Sequence, residues 1–208
     1  MDIAEVAARA PVIPVLTIER TADAVPLARA LVKGGLPVLE ITLRTTVALD
    51  ALRAIAAEIP EATVGAGTLL EPRQFDEVRK AGARFAVSPG CTPQLVAAAK
   101  AAGLPFMPGI QTVSEAMRLA EQGFGLMKFF PADGAGGIAW LKAVAAPLAG
   151  LRFCPTGGIA AESASHYLAI ANVACVGGSW VAPRDAVAAG QWERIERLAA
   201  AAAALKRH

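Results

Sequence analysis

The chain has 208 residues, of which 55% are apolar and 18% are charged, and its formal net charge is +2. This composition excludes a disordered protein, and the length is sufficient for one sizeable hydrophobic core. The near-neutral charge and the lack of a long basic run predict no binding to nucleic acid. Alanine-rich stretches are short and follow charged residues, which predicts no membrane-spanning helix.

Cysteine and histidine usage narrows the chemistry. The three cysteines, Cys91, Cys154 and Cys175, lie far apart and are odd in number. That pattern favours a reducing cytoplasm over a disulfide framework and fits no CxxC metal motif. The only histidines are His166 and His208, whereas a zinc-dependent lyase usually takes two or three histidine ligands. We therefore predict that any carbonyl chemistry proceeds without zinc, which favours an amine, and we expect no cofactor.

The predicted elements alternate along the chain. At the start, Asp2, Glu5 and Arg9 interrupt an apolar pattern, which indicates a short amphipathic helix and not a signal peptide. Eight runs rich in Val, Ile and Phe then predict strands at residues 12–17, 38–43, 63–68, 85–89, 105–110, 126–131, 152–156 and 173–178. Ala- and Leu-rich segments between them predict helices, among them residues 24–33, 47–58, 72–80 and 93–102.

This alternation predicts the fold class. Strand starts recur roughly every 20 to 26 residues, which leaves room for one helix in each interval. Strands that alternate with helices form a parallel sheet, and eight such units close into a (β/α)8 TIM barrel. An open doubly wound sheet would carry a G-x-G-x-x-G fingerprint, but Gly65-Ala66-Gly67 is followed by Leu70 where the third glycine belongs. We expect a single domain over residues 1–208.

Lys128 is the most informative residue in the sequence. It is the only one of six lysines inside a predicted strand, because the others lie in helical stretches or in the tail. A buried ammonium tends to lose its proton, and a neutral amine in a dry pocket attacks carbonyl groups. The alternative is a lysine that extends out of the core or pairs with a carboxylate.

Side-chain alternation predicts partners for Lys128. In the second predicted strand, Glu40 and Arg44 share a face, and the opposite face is entirely apolar. Glu40 is the only carboxylate inside any predicted strand. If all three side chains face one interior, Lys128 can form an iminium, Glu40 can transfer protons and Arg44 can bind an anion. A salt-bridge network that only packs the barrel is the alternative.

Glycine pairs predict an anion site. Thr156-Gly157-Gly158 ends the seventh predicted strand, and Gly177-Gly178-Ser179 ends the eighth. Barrels often bind phosphate after these two strands, because glycine lets backbone N–H groups approach an anion. Tight turns that require glycine are the alternative. Thr68 is a candidate hydroxyl donor or a helix N-cap.

These residues resemble the 2-keto-3-deoxy-6-phosphogluconate (KDPG) aldolases, class I lyases of the Entner–Doudoroff route, over residues 11–184. The matching strings are Glu40-Ile-Thr-Leu-Arg44-Thr45, Gly65-Ala-Gly-Thr68, Ser88-Pro-Gly90, Pro108-Gly109-Ile110, Lys128-Phe-Phe-Pro-Ala132, Cys154-Pro-Thr-Gly-Gly158 and Gly177-Gly-Ser-Trp180. The resemblance implies cleavage of KDPG to pyruvate and glyceraldehyde 3-phosphate, with side activity on 4-hydroxy-2-oxoglutarate, in a homotrimer without metal.

The resemblance also implies a role for each site residue. Lys128 would be the Schiff-base lysine and Glu40 the proton-transfer residue. Arg44, Thr68, Pro89 and Thr156 would surround the pyruvyl end of the substrate, and Gly157, Gly158, Gly178 and Ser179 would hold the phosphate. Two other functions remain open: another phosphate-binding barrel enzyme, such as a sugar-phosphate isomerase, and a non-catalytic binding barrel.

Overall fold

A computed structural model describes residues 1–208 as parallel strands that alternate with helices. The strands are β1 (Val12–Leu16), β2 (Val38–Thr42), β3 (Thr63–Gly67), β4 (Ala86–Val87), β5 (Phe106–Met107), β6 (Gly109–Ile110), β7 (Leu126–Phe129), β8 (Arg152–Pro155) and β9 (Val176–Gly178). The helices are α1 (Ile3–Ala8), α2 (Thr21–Lys33), α3 (Ala48–Glu58), α4 (Arg73–Lys80), α5 (Pro93–Ala102), α6 (Val113–Ala120), α7 (Gly137–Val144), α8 (Ala161–Leu168), α9 (Arg184–Ala188) and α10 (Trp192–Ala203). None of these helices is both long and apolar enough to cross a bilayer.

The predicted strands are all present, but their bounds differ from the apolar runs. Most end earlier than predicted, the fifth is broken, and the eighth ends at Gly178 as predicted but begins only at Val176. The fifth is interrupted at Pro108, which has no N–H to donate to a ladder. Thr17, Thr68 and Phe130 were predicted at strand ends but lie just beyond β1, β3 and β7. The chain leaves the ladder at these positions, so their side chains lie at the rim of the sheet.

Parallel pairing organises the strands into two sheets. One has the order β5-β4-β3-β2-β1-β9 and the other β6-β7-β8, and every pair is parallel. Only Pro108 separates β5, at the edge of the first sheet, from β6, at the edge of the second. Isolated bridges from Phe153 to Val173 and from Thr156 to Gly177 connect β8 to the segment that contains β9. The protein thus has an α/β fold built on a parallel half-barrel sheet.

Two apolar clusters lie on the two faces of the strands. The larger one packs the outer faces against the helices, and its members include Leu39, Ile41 and Phe75. The smaller one lines the inner faces at the start of the strands and consists of Val6, Ala7, Ile13, Val38, Phe85, Val87, Met107, Leu126, Cys154 and Cys175. Val6 and Ala7 belong to α1, which therefore covers this end of the inner face.

The inner cluster stays uncharged. A hydrogen bond with Cys154, and then burial, raise the pKa of the Cys175 thiol well above its usual value. The thiol is therefore neutral at physiological pH, so it behaves as a small apolar group. The inner cluster therefore forms an apolar floor, below the side chains that project from the inner faces nearer the carboxyl ends of the strands.

Gly109 marks a close backbone approach next to the break at Pro108. A Cβ atom on Gly109 would overlap the Pro89 backbone and lie 2.5 Å from the Ser88 carbonyl oxygen. The Gly109 N–H also donates to the Ser88 hydroxyl at 3.4 Å. Only glycine lets the chain after β4 contact the start of β6 in this way.

We expect Gly109→Ala to lower the free energy of unfolding by about 1–3 kcal/mol, because the backbone around Pro89 must shift. Gly90→Ala is the matched control, since a Cβ at Gly90 would meet nothing within 4 Å, and it should change stability by less than about 0.5 kcal/mol. Urea denaturation measures both variants. Equal stability of the two would contradict the tight contact.

Candidate active site

Lys128 and Glu40 form a buried ion pair. The Lys128 side chain projects from β7 and the Glu40 side chain from β2, two strands that are not neighbours in either sheet. The Lys128 Nζ lies 3.2 Å from the Glu40 Oε1 and donates a hydrogen bond to it. Lys128 is 2% exposed and Glu40 is 3% exposed. The structure therefore brings together the two residues that the sequence singled out for covalent and proton-transfer chemistry.

The pair stands on the apolar floor. Leu126 and Val38 precede Lys128 and Glu40 by two residues, share their faces and belong to the inner cluster. On the other side, the Lys128 Nζ lies 5.2 Å from the centre of the Phe130 ring. The ammonium and the carboxylate thus have apolar surfaces below and an aromatic ring beside them.

The arrangement suits transfer of a proton between the two groups. Both the ammonium–carboxylate form and the amine–carboxylic acid form carry no net charge. When a proton passes from Lys128 to Glu40, the site holds a neutral amine without having to bury an unpaired ion. Such an amine is the form that attacks a carbonyl carbon.

The end of β3 shapes the position of Glu40. A Cβ on Gly67 would lie 2.6 Å from both the Glu40 Cγ and the Glu40 Cδ, so the carboxylate side chain lies directly against the β3 backbone. The next residue, Thr68, has φ +62°, a conformation that is rare for a β-branched residue. Backbone strain of this kind is concentrated at functional sites.

Arg44 lies at the mouth of the site and not in the interior. Alternation along the predicted strand placed it on the inner face, but β2 ends at Thr42 and Arg44 lies in the following turn, where it is exposed. Its Nε donates to the Thr68 hydroxyl at 3.2 Å, and it forms no salt bridge with a carboxylate. Its charge therefore remains available to an anion that enters the site.

A pocket of about 460 Å³ opens above the buried pair, within the size range of small-molecule sites. Six residues predicted from the sequence line it: Arg44, Thr156, Gly157, Gly158, Gly178 and Ser179. Gly157 and Gly158 have φ +96° and +80°, so the first glycine pair needs its glycines for the turn as well as for access.

Four predicted residues lie outside the pocket lining. Lys128 and Glu40 are buried beneath it, and Phe130 connects the two regions, because it lines the pocket and contacts the Lys128 amine. Thr68 reaches the pocket only through its hydrogen bond with Arg44. Pro89 is half-buried next to Gly109.

The sequence reasoning assigned no role to the other pocket-lining residues, among them Thr17, Phe130 and Arg184. Arg184 begins α9 and adds a second cation near Ser179 and the glycine pairs. The available signal was a lone arginine shortly after the second glycine pair, in the loop where barrels bind phosphate. Nowhere in the structure do three or more His, Cys, Asp or Glu side chains form a group that could hold a metal ion.

Comparison with known proteins gives a consistent result. Residues 3–198 match the family model described as KDPG and KHG aldolase. A protein of Escherichia coli K12 named KHG/KDPG aldolase is 53% identical over 189 residues, which cover 91% of this chain and 89% of the relative.

Solved structures agree. KDPG aldolase from Legionella pneumophila, with pyruvate captured at low pH as a covalent carbinolamine intermediate, superposes with a TM-score of 0.96 at 46% identity, covering 98% of this chain and 99% of that one. The Zymomonas mobilis ZM4 2-keto-3-deoxy-6-phosphogluconate aldolase with 3-phosphoglycerate has a TM-score of 0.93 at 46% identity, covering 99% and 97%.

The energetic coupling between Lys128 and Glu40 can be measured. We expect Lys128→Met to lower the free energy of unfolding by about 3–5 kcal/mol, because it leaves a buried carboxylate without its partner. Adding Glu40→Met should restore at least the wild-type value, since two packed apolar side chains replace a desolvated ion pair. Urea denaturation of the single and double variants gives both quantities.

Lys33→Met is the control, because the Lys33 Nζ–Glu196 Oε2 pair at 2.9 Å is exposed, and its loss should cost less than about 1 kcal/mol. A double variant no more stable than Lys128→Met would mean that the two buried groups do not interact.

Proposed function

The chain belongs to the KDPG and KHG aldolase family and is a carbon–carbon lyase, and we propose that it cleaves KDPG to pyruvate and glyceraldehyde 3-phosphate through a Schiff base on Lys128. The observation that carries this proposal is the ion pair between Lys128 and Glu40, buried beneath a pocket that both glycine pairs line. A second proposed substrate is 4-hydroxy-2-oxoglutarate, also called 2-keto-4-hydroxyglutarate (KHG). Both the family description and the name of the E. coli relative include KHG, which supports this proposal.

Lys128 supplies the covalent step. Its neutral amine adds to the C2 ketone of KDPG to give a carbinolamine, and loss of water then gives an iminium. The iminium is an electron sink. When the C4 hydroxyl loses its proton and the C3–C4 bond breaks, the bonding electrons move to the Lys128 nitrogen, so an enamine and an aldehyde result.

Glu40 moves the protons. Its carboxylate lies within hydrogen-bond reach of the Lys128 nitrogen, so the acid form can protonate the departing hydroxyl of the carbinolamine. As a carboxylate it then accepts the C4 hydroxyl proton, and as an acid it returns a proton to C3 of the enamine. Water releases pyruvate and restores the amine, so every proton that Glu40 accepts is given back within one turnover.

The pocket orients the two charged ends of the substrate. Arg44, Thr68, Pro89 and Thr156 are assigned to the pyruvyl carboxylate and its surroundings, with Arg44 at the mouth as the cation. The turn at Gly157 and Gly158, together with Gly178 at the end of β9 and Ser179, is assigned to the phosphate. The second cation, Arg184, supports an anion at this end of the pocket.

The competing functions explain less. A sugar-phosphate isomerase would use the glycine turns but would leave Lys128 without a covalent role. A binding barrel would leave both buried charges without one, although a matched apolar pair is often at least as stable.

We also propose a complete single-domain (β/α)8 barrel over residues 1–208, a cytoplasmic location and a homotrimeric assembly. The bridges from Phe153 to Val173 and from Thr156 to Gly177 support closure between β8 and β9. The continuity of β5 with β6 through Pro108 supports closure at the other seam.

Exposed Leu70, Val113 and Met117 provide apolar surface for contacts between subunits.

Borohydride trapping tests the covalent step. Reduction in the presence of pyruvate should attach one reduced pyruvyl group to Lys128, because only an imine is converted to a stable amine. Peptide mass spectrometry locates the adduct, and Lys128→Met should show none and should not cleave KDPG. Lys142→Met is the control and should still be trapped. An adduct on another lysine would refute the proposal.

Sedimentation equilibrium tests the assembly. A homotrimer should give a mass three times that of the 21.3 kDa chain at micromolar protein concentration. A mass equal to one or two chains under the same conditions would contradict the proposed trimer and would leave the trapping result unaffected.

A further inference from the structure

Thr17 is a polar pocket residue that the proposed mechanism does not use. It follows β1, is half-buried, and lines the same pocket as Thr156 and Ser179. Its hydroxyl lies 3.1 Å from the hydroxyl of Thr42, the last residue of β2. The direction of this hydrogen bond decides what Thr17 can offer to a ligand.

The single proton of Thr42 fixes that direction. Thr42 is fully buried, and its hydroxyl donates to the Leu16 carbonyl oxygen at 2.9 Å. A carbonyl oxygen cannot donate, and a hydroxyl has only one proton. Thr42 must therefore accept from Thr17 in the contact between the two. Since the Thr17 proton is used in this way, the Thr17 oxygen presents only lone pairs to the pocket.

The register of the strands gives the level of Thr17 in the pocket. Val15 is paired with Glu40, and Thr17 lies two residues further toward the mouth, about 7 Å at the usual rise of a strand. In the proposed mechanism Lys128 holds C2 near the level of Glu40, and the glycine pairs hold the phosphate at the far end. Thr17 therefore faces the middle of an extended substrate.

Two substrate hydroxyls lie between these ends. The C4 hydroxyl exchanges its proton with Glu40, so it lies beside the buried pair. The next hydroxyl toward the mouth is that of C5, which has a proton to donate and no assigned partner. An acceptor that cannot donate is the complement of this group.

Building on the proposed function, we infer that Thr17 accepts a hydrogen bond from the C5 hydroxyl of KDPG and selects for substrates that carry it. In 4-hydroxy-2-oxoglutarate, C5 is a carboxylate, which has no proton to donate and would place its own lone pairs against those of Thr17. Thr17 is thus a specificity-determining residue that favours the sugar-phosphate substrate over the shorter dicarboxylate.

The aldol addition direction isolates this contact. Pyruvate is combined with glyceraldehyde 3-phosphate, whose 2-hydroxyl becomes the C5 hydroxyl, or with 3-oxopropyl phosphate, which lacks it. We expect Thr17→Val to lower kcat/KM for glyceraldehyde 3-phosphate by about three- to tenfold, the effect of one neutral hydrogen bond. The value for 3-oxopropyl phosphate should stay within about twofold of wild type, and Thr17→Ser should keep the wild-type preference.

Thr45→Val is the matched control. The Thr45 hydroxyl donates to the Ile18 carbonyl oxygen at 2.7 Å near the same end of the sheet, but Thr45 does not line the pocket. The ratio between the two aldehydes should not change in this variant. Equal loss of activity with both aldehydes in Thr17→Val, or no loss with either, would overturn the inference.

The proposed function is tested separately in the same assay. If wild-type protein joins pyruvate to glyceraldehyde 3-phosphate and is trapped by borohydride, the aldolase assignment stands and only the aldehyde ratio judges Thr17. If wild-type protein forms no carbon–carbon bond, the proposed function fails, and the Thr17 inference fails with it.

Discussion

One ion pair, Lys128 with Glu40, is the interaction on which the rest of the site depends. Neither group is stable in this dry interior without the other, because an isolated buried charge costs far more than a paired one. The 3.2 Å contact resolves this problem, because each charge lies within hydrogen-bond reach of the other. The same contact that makes burial tolerable therefore joins the two side chains to which the covalent and proton-transfer roles are assigned.

Close packing around the pair preserves that geometry. The apolar floor that includes Leu126 and Val38 lies below the two side chains, and α1 covers it from the other side. Gly67 lets β3 lie against the carboxylate, and the aromatic ring of Phe130 lies beside the amine. Rotation of either side chain away from its partner would require a cavity or a clash in a close-packed interior.

The functional groups are divided by depth. Covalent and proton-transfer chemistry is assigned to the two buried side chains. Recognition of charged substrate groups is assigned to the exposed cations Arg44 and Arg184 and to the two glycine pairs beside them. This division follows from solvation. Cations at the rim keep their water until an anion displaces it, whereas the buried Lys128 side chain has a carboxylate partner in place of water. Thr17 lies between these levels, and recognition of an uncharged substrate hydroxyl is assigned to it.

Much of this organisation could be predicted from local sequence. The alternating apolar runs and helical segments gave the order of elements, and α5 has the predicted bounds 93–102. Lys128 and Glu40 stood out because each is a charged residue inside an apolar run, and burial follows from such neighbours. The glycine pairs were found for a similar reason, since backbone freedom depends on residue type.

The remaining features depended on contacts between distant strands. Arg44 was placed in the interior because alternation was extended past the real end of β2, and pairing with the neighbouring strands determines where that ladder stops. The acceptor character of Thr17 depends on Thr42 and on the Leu16 carbonyl, a hydrogen-bond direction that no spacing in the sequence encodes. The sequence alone determined which residues are unusual and which face each occupies within its strand. Tertiary structure decided how far each residue is buried and whether its polar groups donate or accept hydrogen bonds. The reason is that residues far apart in the chain determine where a strand ladder ends and which hydrogen-bond partners meet.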